Sequence, residues 1–137
     1  MKIISTIEAR MNSSRLPGKV LLPVIESTML ELLIERLKKV ELIDQIIVAT
    51  TISEKDDPIV DLCENNSLKY YRGSEADVMD RVINAADSLS ADLIVEITGD
   101  CPLIDPSIVD QLIRIYLANK VDYVSNAIIR SYPDGMD

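Results

Sequence analysis

The chain has 137 residues, 47% of them hydrophobic and 27% charged, so it is long enough to bury the core of one domain. Its net charge of −9 argues against broad nucleic-acid binding, which requires a basic surface, and no apolar run reaches the length of a membrane span. The absence of histidine excludes histidine-dependent triads and histidine metal sites.

The cysteines and the amino terminus indicate a cellular compartment. Cys63 and Cys101 are too few for a disulfide framework or a zinc site, so we expect reduced thiols. The first residues lead into a short strand-like run and then charge, which is not the pattern of a signal peptide. The sequence therefore predicts a cytoplasmic protein.

The first half of the chain alternates strand and helix patterns. Apolar and β-branched runs predict buried strands, and apolar residues at helical spacing predict an amphipathic helix. Asp57-Pro58 has the pattern of an N-cap followed by a first-turn proline. The predicted elements are a strand at Lys2–Ile7, a helix at Met29–Val40, a strand at Ile46–Thr50, a helix from Asp57 to about Glu64 and a strand at Leu68–Tyr71.

The second half continues the same alternation. Ser74 to Asp77 resembles a capping box and predicts the start of a helix. A strand follows at Asp92–Thr98, Asp105-Pro106 caps the next helix, and Asp122–Asn126 is predicted as a fifth strand. Strands that alternate with helices at this spacing predict an α/β fold with a doubly wound, mostly parallel sheet. We expect residues 1–137 to form a single nucleotide-binding domain.

A cationic loop, Ala9 to Lys19 (ARMNSSRLPGK), directly follows the first predicted strand. Arg10, Arg15 and Lys19 lie in a stretch without acidic residues, although the chain carries 23 acidic and 14 basic residues. A loop rich in cations and free backbone N–H groups can hold phosphates. The alternative is a solvated basic loop without a ligand.

Asp100 follows the fourth predicted strand and should lie near this loop, because ligands collect at the carboxyl edge of parallel sheets. Cations beside a carboxylate suit a nucleoside triphosphate carried with Mg²⁺, and Asp100 is the leading metal-ligand candidate. Asp105 is better explained as a helix cap. The P-loop motif and G-x-G-x-x-G are both absent, which argues against P-loop ATPases and dinucleotide-binding oxidoreductases.

The cationic loop resembles a family signature. ARMNSSRLPGKVL is similar to the A-R-x-x-S-x-R-L-P-x-K signature of the sugar cytidylyltransferases, which activate acylneuraminate and 3-deoxy-manno-octulosonate. The spore-coat polysaccharide biosynthesis branch also shows segments like IIVATT, YRGSEADVMDR, ITGDCPLIDP and DYVSN, in the order found here. The chain is therefore identified as a member of this family.

The resemblance implies a nucleotide-diphospho-sugar transferase fold of Rossmann-like type, and transfer of CMP from CTP to a sugar or sugar acid. Pyrophosphate is released, Mg²⁺ is the cofactor, and the product serves surface or spore-coat polysaccharide biosynthesis. The expected ligands are CTP and a small sugar, and a homodimer is a possible assembly. Neither nucleic acid nor a membrane is expected as a partner. The implied catalytic residues are Arg10, Lys19 and Asp100, with Asp100 as the metal ligand. The implied nucleotide-binding residues are Arg10, Ser13, Arg15, Lys19, Arg72, Ser74, Asp80 and Arg81. Cys101 is expected to be an inert neighbour of Asp100.

The chain departs from the family pattern in two ways. Glu26-Ser27-Thr28 replaces the usual Gly-Lys-Pro, although Ser27 or Thr28 can still cap the following helix. Family members are usually longer and carry a second metal-binding acid, for which only Asp137 is a candidate here. We therefore expect a truncated chain that catalyses poorly and self-associates through an uncovered sheet edge.

Two alternative functions remain open. A nucleotide-sugar glycosyltransferase shares this kind of sheet but uses a paired D-x-D metal site, which this sequence lacks. A catalytically inactive CTP-binding fragment would bind the nucleotide without turnover.

Overall fold

The computed structural model describes residues 1–129, 132–133 and 135–136. Among these residues, helices and strands alternate along the chain. They are β1 (Ile3–Glu8), β2 (Pro23–Val24), β3 (Ser27–Thr28), α1 (Met29–Leu37), β4 (Gln45–Thr51), α2 (Asp57–Asn65), β5 (Lys69–Gly73), α3 (Val78–Asp87), β6 (Leu93–Thr98) and α4 (Pro106–Ala118). Short 3₁₀ segments lie at Lys19–Leu21 and Glu54–Asp56.

Four parallel strands form the central sheet in the order β5-β4-β1-β6, while β2 and β3 pair as a small antiparallel hairpin. The chain runs from β1 outward through β4 to β5 and then returns to place β6 on the opposite side of β1. The strand order therefore reverses between β1 and β6, and a crevice at such a point is the usual ligand site of open α/β sheets.

Helices cover both faces of the sheet, as the predicted doubly wound fold requires. Successive strand residues point to opposite faces, so Ile3 and Ile7 join the core beneath α1, α2 and α4, whereas Ile4 packs against α3. Ile4 and Ile7 are fully buried, as expected for a strand covered on both sides. The α/β class and the parallel sheet are confirmed.

The start of α1 shows how the altered turn is accommodated. Thr28 caps the helix in a full capping box: its Oγ1 accepts the Glu31 N–H at 3.2 Å, and Glu31 Oε2 accepts the Thr28 N–H at 2.8 Å. The backbone hydrogen bond from Thr28 lowers the pKa of Glu31. The predicted capping role of this segment is confirmed at Thr28.

Two predicted helix starts were wrong in detail. Asp57 is the first residue of α2, and Asp56 holds the N-cap position without a side-chain cap bond, because its carboxylate is used elsewhere. Ser74 does not cap α3; its Oγ accepts the Asp77 N–H at 3.0 Å, and Asp77 caps the helix by accepting the Asp80 N–H at 2.9 Å. In both cases a neighbouring aspartate, Asp56 or Asp77, takes the N-cap position instead of the predicted residue.

The predicted strand at Asp122–Asn126 is wrong. These residues belong to neither a strand nor a helix, and they line an open groove beside β6. A short β-prone run forms a strand only against a partner strand, and no described strand pairs with this segment.

The cap at Asp105 is confirmed, because Oδ1 accepts the Ser107 N–H at 2.8 Å.

Within the described part of the chain, no helix combines the length and apolar character needed to cross a membrane.

Candidate active site

The cationic loop begins where β1 ends and closes on a single peptide group. The Met11 carbonyl accepts N–H bonds from Ser13 at 3.0 Å and from Gly18 at 2.8 Å. Gly18 has φ +72°, a conformation that side chains rarely adopt, and a Cβ there would lie 3.3 Å from the Met11 methyl group. Glycine therefore allows the loop to turn into the 3₁₀ segment that starts at Lys19.

Lys19 and Asp100 meet beyond the carboxyl ends of β1 and β6. The Lys19 Nζ donates a hydrogen bond to Asp100 Oδ2, and the two side chains are 24% and 40% exposed. The hydrogen bond from Lys19 is the main cause that lowers the pKa of Asp100. The structure thus brings together the two residues that the sequence placed at the same sheet edge, one cation and one carboxylate, both accessible to solvent.

Gly99 makes this approach possible. Its N–H donates to the Glu8 carbonyl at 2.9 Å, which continues the β1–β6 pairing beyond the last strand residue. A Cβ at Gly99 would lie only 2.5 Å from the Glu8 carbonyl oxygen and 3.3 Å from the Ala9 side chain. The close backbone contact places Asp100 directly beside the root of the cationic loop.

Three further predicted loop residues are available to a ligand. Arg10 and Arg15 are exposed, and Ser13 is half-buried. Their nucleotide-binding roles stay predictions.

Arg72 is engaged within the protein. Its Nε donates to the Thr51 carbonyl at 2.9 Å, its Nη2 donates to the Ser53 carbonyl at 2.7 Å, and its Nη1 lies 2.7 Å from Asp57 Oδ1. The guanidinium group therefore ties β5 to the segment that joins β4 to α2. To contact a nucleotide as predicted, Arg72 would have to break some of these bonds and form bonds to the ligand instead.

The predicted residues around α3 are split between the surface and the interior. Asp80 is exposed, and Ser74 holds the turn before the helix. Arg81 is 1% exposed; its Nη1 donates to the Ser74 carbonyl, and its Nη2 lies 4.0 Å from Glu8 Oε2. Its Nε has no hydrogen-bond partner in the described structure, and burial lowers its pKa.

Asp56 is a buried residue near the loop that the sequence reasoning missed. It is 1% exposed, and its Oδ1 accepts the Met11 N–H at 2.7 Å. The only sequence signal was a doubled aspartate before Pro58, which the capping pattern assigned to Asp57.

The two cysteines differ in burial. Cys63 is buried, and burial raises the pKa of its thiol to about 11. Cys101 is half-buried, with its Sγ 3.0 Å from Thr98 Oγ1. That Cys101 is an inert neighbour of Asp100 stays a prediction.

The chemistry of the donor set fits one divalent cation held jointly with a ligand. The described residues contain no cluster of three or more acidic, cysteine or histidine side chains of the kind that binds a metal unaided. Mg²⁺, however, commonly binds one or two carboxylates together with substrate phosphates. Asp100 satisfies that requirement, whereas Asp137, the other candidate, lies outside the described residues.

Comparison with known proteins decides the family. Residues 4–130 match the family described as Cytidylyltransferase. The chain belongs to the cytidylyltransferase family. It is 50% identical over 125 residues to an uncharacterized protein of Methanocaldococcus jannaschii, covering 91% of this chain and 51% of that protein. It is 34% identical to the spore coat polysaccharide biosynthesis protein SpsF of Bacillus subtilis, covering 88% of this chain and 52% of SpsF.

Solved cytidylyltransferase structures show the same fold. A cytidylyltransferase from Leptospira borgpetersenii superposes with a TM-score of 0.94 at 38% identity, covering 100% of this chain and 58% of that one. A CMP:2-keto-3-deoxy-manno-octonic acid synthetase in complex with CTP superposes with a TM-score of 0.73 at 27% identity, covering 87% and 48%. The predicted nucleotide-diphospho-sugar transferase fold is confirmed. The chain spans about half the length of the curated relatives it matches.

Proposed function

We propose that this cytidylyltransferase-family protein transfers CMP from CTP to a sugar or sugar acid and releases pyrophosphate. The observation that carries the proposal is the meeting of Lys19 and Asp100 beyond the carboxyl ends of β1 and β6, directly beside the cationic loop. A cation and a carboxylate at this position supply the charges that a metal-bound triphosphate requires.

The reaction is a direct displacement at the α-phosphorus. An acceptor hydroxyl oxygen bonds to the α-phosphorus, the bond from the α-phosphorus to the bridging oxygen breaks, and pyrophosphate leaves while the hydroxyl proton passes to a base. Lys19, Arg10 and Arg15 neutralise the departing charge, and the arginines can bind phosphate oxygens in bidentate fashion. The protein acts mainly by positioning groups and by electrostatic stabilisation.

Asp100 is the residue that would hold Mg²⁺. The ion, when bound, supplies charge neutralisation and lowers the pKa of the attacking hydroxyl. Lys19 must then exchange its bond to Asp100 for phosphate oxygens, since both groups cannot serve the ligand while they neutralise each other. The remaining nucleotide-binding assignments in this proposal are Ser13, Arg72, Ser74, Asp80 and Arg81.

The acceptor class rests on named relatives. SpsF is named for spore coat polysaccharide biosynthesis, and a relative from Geobacter metallireducens, 34% identical, is named 3-deoxy-manno-octulosonate cytidylyltransferase. These names support a sugar or sugar acid as the acceptor, for surface polysaccharide biosynthesis. A cytoplasmic location is part of the proposal. Residues 1–137 are proposed to form the nucleotide-binding domain in that activity.

A pyrophosphate-release assay tests the proposal. CTP with Mg²⁺ is supplied with candidate sugars and sugar acids, and ATP replaces CTP in the parallel reaction. Release that depends on CTP and on one sugar supports the transferase, whereas release of a nucleoside diphosphate from a nucleotide sugar would favour a glycosyltransferase. Lys19→Ala should reduce the release of pyrophosphate. Lys39→Ala is its matched control, because Lys39 is an exposed lysine shortly after the end of α1. CTP binding without turnover by any acceptor would leave only a binding function.

A further inference from the structure

Asp56 is a buried carboxylate outside the set of residues assigned to the ligand. Oδ1 accepts the Met11 N–H at 2.7 Å, and Oδ2 accepts both the N–H of Thr51, at 3.3 Å, and the Thr51 hydroxyl. Its residue exposure is 1%. The side chain therefore joins two separate segments, the start of the cationic loop and the carboxyl end of β4.

Burying a carboxylate costs free energy unless hydrogen bonds and opposite charge compensate for the lost water. An ionised carboxylate only accepts hydrogen bonds, and the three donors here match that property. The buried guanidinium group of Arg81 lies within electrostatic range and adds a favourable charge interaction. The site is thus built for a carboxylate at this position, not merely tolerant of one.

The Met11 peptide is the point at which the cationic loop is both closed and anchored. Its carbonyl accepts the N–H groups of Ser13 and Gly18, so one side of the peptide holds the loop together. Its N–H is held by Asp56, so the other side fixes the loop to the body of the sheet. Arg10 precedes this peptide, and Lys19 follows the residue that closes the loop.

We infer that Asp56 is the positioning residue of the cationic loop, and that it sets the loop geometry for a triphosphate without touching the ligand. The ligand part of this inference rests on the proposed function. The anchoring part concerns the free protein and can be tested without any nucleotide.

The test compares Asp56→Asn with Asp61→Asn in the full chain. Both variants remove one negative charge near or on α2, but Asp61 is exposed. The Asp56→Asn amide offers one acceptor oxygen in place of two, so it cannot accept the backbone N–H groups of both Met11 and Thr51 as the carboxylate does. Residue-resolved amide hydrogen exchange should show faster exchange at Met11 and Gly18, by about tenfold, relative to amides of α1. Asp61→Asn should leave these rates unchanged.

Titration with inorganic tripolyphosphate and Mg²⁺ measures the consequence for binding. Well below its melting temperature, Asp56→Asn should bind this probe about tenfold more weakly, the equivalent of losing one hydrogen bond to a charged group. Thr51→Val removes the hydroxyl that donates to Asp56 and accepts the Ser53 N–H at 3.2 Å, but it leaves the Asp56–Met11 bond. It should therefore lower stability while Met11 stays protected and affinity is kept. A purely structural role would instead lower stability in both variants without a selective change at the loop.

Each outcome bears on a different part of the inference. Equal Met11 and Gly18 exchange in Asp56→Asn and Asp61→Asn overturns the anchoring role. Faster loop exchange with unchanged tripolyphosphate affinity overturns the positioning role. If the unsubstituted protein binds neither tripolyphosphate nor CTP, the proposed function fails, and the exchange data still decide whether Asp56 anchors the loop.

Discussion

Gly99→Ala should damage both stability and ligand binding, because it adds a methyl group where two backbones meet. The new Cβ would lie 2.5 Å from the Glu8 carbonyl oxygen, whereas carbon–oxygen contacts usually lie at about 3.3–3.6 Å. The obstruction is a backbone atom of a central strand, which cannot rotate away. The ends of β1 and β6 must therefore separate by roughly 1 Å, a typical result of overpacking.

Overpacking of this kind costs about 1–3 kcal/mol. For a domain of this size each kcal/mol lowers the melting temperature by roughly 3–5 °C, so calorimetry should show a fall of about 3–15 °C. Asp100, the next residue, should move away from Lys19, and affinity for CTP with Mg²⁺ should drop by up to about 10²-fold, the scale of a 1 Å misplacement.

Gly135→Ala is the control for Gly99→Ala. It adds the same methyl group at a residue with φ +87°, and among the described residues outside its chain neighbours no heavy atom lies within 4 Å of the new Cβ. It should leave nucleotide affinity unchanged. Wild-type melting temperature and CTP affinity in Gly99→Ala would refute the argument that this contact positions Asp100.

Four further outcomes follow from the structure. In a catalytically active protein, Lys19→Ala should lower kcat by about 10²–10³ and Asp100→Asn should weaken the metal dependence of turnover. Normal pyrophosphate release by both variants would reject these roles. Thr28→Ala should cost about 1 kcal/mol of unfolding free energy through the lost cap, and urea denaturation showing no change would contradict that. Burial raises the pKa of Cys63 to about 11 from an ordinary value of 9.0, so a thiol reagent at pH 8 should modify Cys101 in the native protein and Cys63 only after unfolding. Because the pKa is raised in the folded protein, the contribution of Cys63 to stability is complete below about pH 9 and is lost as the pH rises towards 11. Alkaline denaturation should show this loss in the unsubstituted protein, and the Cys63→Ala variant should lack it.

Much of the fold could be predicted because the pattern was strong. The apolar, β-branched run in β4 predicts only a strand, and the amphipathic pattern of α1 predicts only a helix. The structure buries Leu30, Leu33 and Ile34 as expected. The meeting of Lys19 and Asp100 followed from topology alone, since both come after strands that run in parallel.

What could not be predicted depends on tertiary contacts. Asp56 and Asp57 are indistinguishable by capping preference, and only the position of the Met11 N–H decides that Asp56 turns inward. Arg72 carries the same charge as Arg10, but its guanidinium group donates hydrogen bonds to backbone carbonyls of the protein itself. The segment around Tyr123 has strand composition without a partner strand in the described structure, and composition cannot supply one.

The central claim is that the site formed by the cationic loop, Lys19 and Asp100 binds CTP with a divalent cation. Isothermal titration of the chain with CTP, in the presence and absence of Mg²⁺, tests it most directly, with thermal shifts as the second readout. The account predicts binding that is tighter with Mg²⁺, weaker in Lys19→Ala, and preferred over ATP and NAD; a ligand at a hundred times its dissociation constant should add roughly 2.7 kcal/mol of stability. Thermal stabilisation of the protein by NAD, with no binding of CTP, would contradict the account.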